Sequence, residues 1–547
     1  MPAAADRQQL RSEELSEFPQ RGVFAGILSE IPPDTLEQYS GFLDLLNVIC
    51  QSSMLIVRPG FTGLTAIPNP QESINGIADF FNNVGVRLQT IITPTRLLQW
   101  NGGGAGSWTP ITGTLTGTTS QLFDWTVVNY KLLFSQGTDK VQAWDGVSGS
   151  FAAVSANAVA CRTMMELGAQ LIVANTIESG TAYPQRVRWT GPGDPTDWTS
   201  LNAGVADLLN DQGPVWRCVK LFQQGYLIQQ FGITQMVPTG NAANPFNFVP
   251  ISTNNKGTVY PFSVAHQGGE FACYVGIDNV YKFDGTTVIP IGDRRVQGGR
   301  LGARLRIMAD VGQGTPSSVY GYITTFSGTS YFNAYWLVIP GISVWVYNFD
   351  EDNWTRFTYA KVITSMGRFF KAGAIRIMDL IGTIAAQNWT PATLTGTSPL
   401  DGVLLGFNDG TPGYVDFTNF SEQNWSITSG QHVFGDVRHQ HNVKKFRISI
   451  KDNGQIQFTL SVTGIVYPNP NAALDSNGQP ISTNTAQKTV SKVITMGNGS
   501  GQTVTRVVDM NVPGQYITWQ ILGLAGAPAY FVEFTPLYDI GGEQRGG

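Results

Sequence analysis

The chain has 547 residues, of which 42% are hydrophobic and only 13% charged, and it carries a formal net charge of −5 with an isoelectric point near 5.5. That length exceeds what a single hydrophobic core usually needs, and thirteen Trp, 30 Phe and 18 Tyr exclude an intrinsically disordered chain. The acidic balance argues against a protein that seeks nucleic acid, which needs a basic face to displace counterions from phosphates.

Charged residues fall well below the usual level of about 25%. Gly, Ser, Thr, Asn and Gln cover the surface instead, as in turn-rich all-β proteins and in subunits packed against neighbours. The four cysteines, Cys50, Cys161, Cys218 and Cys273, form no CxxC or zinc-like pair and read as buried free thiols of a chain made in a reducing cytoplasm. The N-terminus has mixed charge without an apolar core, and no apolar run of about 18 residues occurs, so neither a secretory leader nor a membrane span is expected.

In chain order, residues 1–50 read as an N-terminal arm and linker, with a short helix or extended segments after Pro32-Pro33. Residues 51–430 carry a degenerate repeat: a strand ending in an aromatic, then a Gly-rich turn, often followed by another aromatic. Trp100, Trp144, Trp189 and Phe231 mark four copies spaced by 44, 45 and 42 residues. Phe283, Phe349 and Phe407 mark three more at spacings of 52, 66 and 58. Units of this length holding several short strands predict an all-β fold, a β-propeller of six or seven blades. Asn-Gly and Asp-Gly supply the positive-φ positions of tight turns, and the aromatics fill the wedge between blades. From 431 to 547 the texture changes. Alternation through Phe446, Ile448 and Ile450, then Ile456, Phe458, Leu460 and Val462 around Asp452-Asn453-Gly454, predicts a hairpin in a C-terminal β-sandwich-like domain. Further alternation near Tyr516, Trp519, Tyr530 and Phe534 extends it, and a polar stretch between Pro468 and Lys488 reads as a long loop.

Candidate chemistry is sparse. Asp145, Asp284 and Asp350 each follow an aromatic; a glycosidase needs paired carboxylates about 5 to 9.5 Å apart, whereas repetition after an aromatic is turn chemistry. The segments NGGGAGSW and GDPTDW also look like the structural Asp-box turns of sialidase-type propellers. His432, His439 and His441, with Asp436, are a candidate metal group, against a reading as exposed strand histidines, and His266 stands alone. The run Gly102 to Gly106 precedes Trp and Pro rather than Lys-Ser/Thr and a helix, so it is a turn and not a phosphate cradle. With no GxSxG or HExxH, the expectation is a non-enzyme with no catalytic, cofactor-binding or metal residue and no cofactor.

Three stretches carry a family resemblance. Arg186 to Thr199, RVRWTGPGDPTDWT, looks like a blade segment of phage tail propellers. Tyr226 to Gly292, with its Lys256-Gly257 step and a strand pair closing on Val280, Tyr281, Gly285 and Pro290, resembles the central propeller of the tail nozzle, or packaged-DNA stabilisation, proteins of short-tailed (podovirus-type) bacteriophages. Val57 to Phe61, VRPGF, stands where those proteins open their first blade. The resemblance implies a structural virion protein of the tail, assembled in the host cytoplasm as a homo-hexameric ring below the portal and head-to-tail adaptor. It would extend the DNA channel, retain packaged genome, let DNA pass without sequence-specific binding, and anchor fibre, spike or needle proteins. Channel gating would fall to the Pro238–Phe248 segment or the loop after Tyr467. The alternative is a tail-associated polysaccharide-binding or depolymerising propeller; a WD40-type scaffold is weaker because the GH…WD pattern is missing.

Overall fold

The computed structural model describes residues 15–21, 24–29, 41–51, 53–101, 106–241, 244–251, 255–267, 269–296, 299–324, 333–370, 401–416, 419–420, 424–433, 439–466, 486–524 and 529–543. The chain divides into two units, one of residues 59–422 and one combining 1–58 with 423–547.

Among the described residues the larger unit is a β-propeller of seven antiparallel four-strand blades. The first strands of the blades are Gly76–Phe81, Asp124–Val128, Ala160–Leu167, Val215–Leu221, Ala265–Gln267, Tyr320–Thr324 and Ile363–Phe370. Each packs beside the first strand of the next blade, except that Val215–Leu221 meets the 3-10 turn Pro261–Ser263 at the entrance to blade 5. The first strand of blade 7 packs on that of blade 1, which closes the ring. The closest approaches use glycine: a Cβ at Gly367 would lie 2.4 Å from Ile77 Cγ2, and one at Gly321 would lie 2.0 Å from the Ser263 carbonyl oxygen.

Closure is completed from the N-terminal side. Gly60–Gly63 is the outermost strand of blade 7, paired with Pro412–Asp416, and Thr62 Oγ1 donates to Asp416 Oδ2 at 2.6 Å. Gly60 and Phe61 of the VRPGF segment therefore lie in the outer strand of the last blade instead of opening the first, and its Val57 ends a strand of the smaller unit. Joining the two ends of the ring in one sheet couples the blades into one cooperative body.

The aromatic repeat does what its chemistry predicts, with a shift of register. Trp100, Trp144, Trp189 and Phe283 end third strands and Phe349 directly follows one, whereas Phe407 ends a second strand and Phe231 stands at the turn after one. Trp144 meets Phe80 of blade 1 at 5.7 Å, Trp189 meets Phe246 of blade 4 at 5.5 Å, and Phe283 meets Tyr226 of blade 4 at 5.1 Å, all edge to face. These are contacts between neighbouring blades, and each burial of an aromatic there stabilises the ring by area and by ring geometry.

The smaller unit is a sandwich of two sheets. One runs Phe42–Leu46, Trp425–Ser429, Tyr516–Gly523, Ile456–Val466, Ala486–Met496 in spatial order; the other runs Val48–Gln51, Met54–Val57, Tyr530–Glu543, His439–Lys451, Thr503–Gly514. Trp519 from the first sheet packs between Phe446 and Phe534 of the second, at 5.5 and 4.8 Å. Strands expected in an N-terminal arm thus belong to the same unit as the C-terminal strands; Ser16–Glu17 and Gln20–Arg21 also pair with Tyr530–Glu543. Phe42–Leu46 and Val48–Gln51 are strands, and 30–40 lies outside the described residues.

The expected hairpin at Asp452 is not one. His439–Lys451 and Ile456–Val466 lie in different sheets, so the turn between them is an arch across the sandwich. Alternation was the right signal for one buried face on each run, but those faces meet through the core instead of side by side. Asp452 holds the arch: its carboxylate accepts the backbone N–H groups of Gly454, Asn498, Gly499 and Ser500. Those bonds, with Asn498 the strongest, keep its pKa well below the usual carboxylate range.

The polar loop from Pro468 is outside the described residues up to 485, as is the loop after Tyr467. The Pro238–Phe248 segment is mostly the hairpin between the two outer strands of blade 4, Ile233–Asn241 and Asn244–Ile251, away from the propeller axis. No helix among the described residues is long and apolar enough to cross a membrane.

Candidate functional site

Asp145 and Asp284 do turn work. Asp145 Oδ1 accepts from the N–H groups of Val147 and Ser148 at 2.9 and 2.7 Å, and Oδ2 from Ser148 Oγ at 2.6 Å. Asp284 does the same with Thr286 and Thr287. In both, partial burial pushes the pKa up, but the turn's hydrogen bonds outweigh it and hold the carboxyl below its usual value. Asp350 differs: it accepts from the backbone N–H and side-chain amide of Asn333, tying its turn to the chain entering the second strand of blade 6.

His432 and His441 are buried rather than exposed. His432 stacks on Trp519 at 6.4 Å with Phe18 edge-on at 5.9 Å, and His441 packs against Tyr538 at 5.7 Å. Rings recruited into an aromatic core are committed to packing. His439's side chain and Asp436 lie outside the described residues, as do 102–105 of the glycine run. Among the described residues no group of three His, Cys, Asp or Glu is placed to hold a metal. All four cysteines are buried and free. Burial first, then the nearby Asp124 charge, raises the Cys218 thiol to about 12 and Cys161 higher still, so neither is a nucleophile at neutral pH.

A buried polar cluster joins the inner strands of the propeller. Asp124, at the start of blade 2, is almost fully buried. Its Oδ2 accepts from Thr163 Oγ1 and from the Met164 N–H of blade 3, both at 2.8 Å, and its Oδ1 pairs with Arg217 Nη2 of blade 4 at 3.0 Å. Thr163 Oγ1 in turn accepts the Cys218 N–H at 2.8 Å. Three blades are thereby cross-linked through one carboxylate. Burial pushes the Asp124 pKa up, opposed by Arg217 and these donors. Arg217 also lies 5.3 Å from the ring centre of Phe262. On blade 5, His266 is accessible to solvent yet ringed by the inner strands; burial, then the Arg217 charge, pushes its pKa down to about 4. Tyr320 of blade 6 donates to the Met366 carbonyl of blade 7 at 3.0 Å.

Above this cluster, where the first strands begin, a cavity of about 330 Å3 opens. Loops entering blades 2, 5 and 6 wall it, with apolar faces from Leu122, Val259, Pro261 and Pro316. Trp216 and Arg162 complete it. Trp216 is the extra residue of a β-bulge, since Val215 pairs with Gln229 and Arg217 with Ile228; a bulge re-aims a side chain out of the strand's alternation. Arg162 is exposed, is the one charged residue lining the cavity, and makes no hydrogen bond or ion pair among the described residues. None of these residues was singled out in the sequence. A usable signal existed: the first strands of blades 2, 3 and 4 read DWTVV, ACRTMMEL and VWRCVKL, each with a charge near its start in an otherwise apolar run.

No family model matches the chain, and no curated protein matches it. Among solved structures it is similar to BBS1N in complex with ARL6DN, at 8% identity and a TM-score of 0.38, over 66% of this chain and 99% of that one. It is also similar to YCF48 bound to D1 peptide, at 10% identity and 0.37, over 65% and 96%. An exo-beta-1,3-galactanase from Phanerochaete chrysosporium follows at 9% and 0.26, over 88% and 99%. Likenesses at this level say nothing of function, and the propeller is read from its own strand pairing.

Proposed function

We propose that this chain is a structural, non-catalytic subunit of a bacteriophage tail nozzle, built into a ring of identical copies below the portal and adaptor. The observation that carries the subunit reading is an apolar outer edge on blade 3. Beside its last strand, Gly204–Asp207, stand Leu201 at 80% exposure, Val205 at 52% and Leu209 at 94%. A sheet edge with exposed apolar side chains is a site for packing on another chain. The nozzle identity rests on the sequence resemblance in blades 3 to 5.

On this reading the DNA conduit is the hole of the ring, not the propeller axis. Side chains from blades 2, 4, 5 and 6 converge on that axis, with Asp124 and Arg217 meeting at 3.0 Å, whereas the major groove of duplex DNA alone is about 12 Å wide. The committed state of Asp145 and Asp284 supports a role without glycoside hydrolysis. Light scattering and negative-stain imaging of the native protein, alone and with portal and adaptor, test the proposal. A six-fold ring with an open centre is the expected result. A monomer that ignores the portal and adaptor but binds or degrades a bacterial polysaccharide overturns it in favour of a tail-associated lectin or depolymerase.

A further inference from the structure

We propose that the cavity at the axial mouth of the propeller is a socket for a short acidic peptide segment of a partner protein, one that presents a carboxylate next to an apolar side chain. The proposal does not depend on ring formation and stands whether or not the nozzle reading holds.

Three features define the ligand. Charge comes first: Arg162 is the one ionic group lining the cavity, and it is unengaged among the described residues. Positive potential there is reinforced by Trp216 Nε1, a buried N–H with no acceptor among the described residues. A guanidinium presents a planar fork of donors that matches a carboxylate in two parallel hydrogen bonds, so the recognised group is a carboxylate.

Shape comes second. Leu122, Val259, Pro261 and Pro316 give the cavity an aliphatic wall, which needs an apolar side chain against it. The Phe262 ring is already faced by Arg217 at 5.3 Å, so the aromatic surface of the lining is that of Trp216, beside the aliphatic wall; a saccharide stacking on that indole is the competing ligand that the disaccharide probe tests. A volume of about 330 Å3 suits one or two residues rather than a long chain.

Rigidity comes third. Ser263 fixes the blade 5 entry loop, donating from Oγ to the Tyr260 carbonyl at 2.7 Å and accepting the Val275 N–H at 3.1 Å. Gln136, also in the lining, is pinned by its amide to Asp139 at 2.5 Å. A pre-formed socket loses little entropy on binding, which lets a short segment bind at all.

The test uses saturation-transfer NMR on the full chain with three probes: acetyl-Gly-Glu-Leu-Ala-amide, its Gln analogue, and a glucuronic-acid-containing disaccharide. The expected result is saturation transfer to the Glu peptide at about 1 mM or below, with the Gln analogue binding about 10-fold more weakly. Arg162→Gln, at an exposed position, should erase that difference while leaving the melting temperature unchanged. Trp216→Leu should weaken both peptides, and Arg506→Gln in the other unit should change nothing. The proposal is overturned by no transfer at about 5 mM peptide, by equal binding of the two peptides, or by binding that Arg162→Gln leaves intact. Disaccharide binding without peptide binding also overturns it and assigns the cavity to a saccharide.

Discussion

Removal of the Asp124 carboxylate is the sharpest probe of the axial cluster. In Asp124→Ala, Thr163 Oγ1 and the Met164 N–H lose their acceptor inside the inner strands, and Arg217 keeps its charge without a counterion. A buried donor left unsatisfied costs about 1–3 kcal/mol, and breaking a buried ion pair from one side costs about 3–5 kcal/mol. The Arg217 side chain is 19% exposed and gains some hydration, so the expected loss is about 3–4 kcal/mol. Urea unfolding followed by tryptophan fluorescence measures it. The double variant Asp124→Leu/Arg217→Met, which replaces the pair by apolar groups, should recover about 2 kcal/mol of that loss. A single-variant loss under about 1 kcal/mol, or a double variant as unstable as the sum of the singles, would refute the coupling of blades 2, 3 and 4 through this carboxylate.

Asp284→Ala should cost about 1–2 kcal/mol by freeing two backbone N–H groups of its turn. Because the folded-state pKa of Asp284 is depressed, the difference from the parent should be full above pH of about 4 and shrink as pH falls, which urea midpoints at several pH values would show. His266 has the opposite charge type: its pKa is lowered to about 4 on folding, so the unfolded chain binds the proton first and stability drops as pH falls from 6.5 to about 4. His266→Gln should flatten that limb and leave neutral pH unchanged. Gly321→Ala, where the added Cβ would stand 2.0 Å from the Ser263 carbonyl oxygen, should destabilise by about 2–3 kcal/mol because backbone must move; a melting temperature equal to the parent's would contradict the close packing of blades 5 and 6.

Propeller architecture was legible because its signals are local. An aromatic followed by a Gly-containing turn recurs where the outer strands of several blades are joined: Trp100, Trp144 and Phe283 with Asn-Gly or Asp-Gly, and Trp189 with Thr-Gly. The landmark moved to the end of the second strand at Phe407 and to the turn after it at Phe231, and the widest spacing, 66 residues from Phe283 to Phe349, spans the segment 291–319 that precedes blade 6, so the count of blades blurred. The axial cluster was illegible for a different reason. Asp124, Thr163 and Arg217 are 39 to 93 positions apart, and nothing in any one strand says that its polar residue will face two others.

From the sequence alone came the all-β class, the turn role of Asp145 and Asp284, and the burial of the cysteines, because each follows from composition or from neighbours a few residues away. Tertiary structure decided the rest. Gly60–Gly63 closes the seventh blade, Asp452 turns an arch rather than a hairpin, His432 and His441 enter an aromatic core, and Arg162 and Trp216 meet at one cavity. Each of these joins residues far apart along the chain, and long-range pairing is chosen by the burial and hydrogen bonding of the whole fold, which no local pattern encodes.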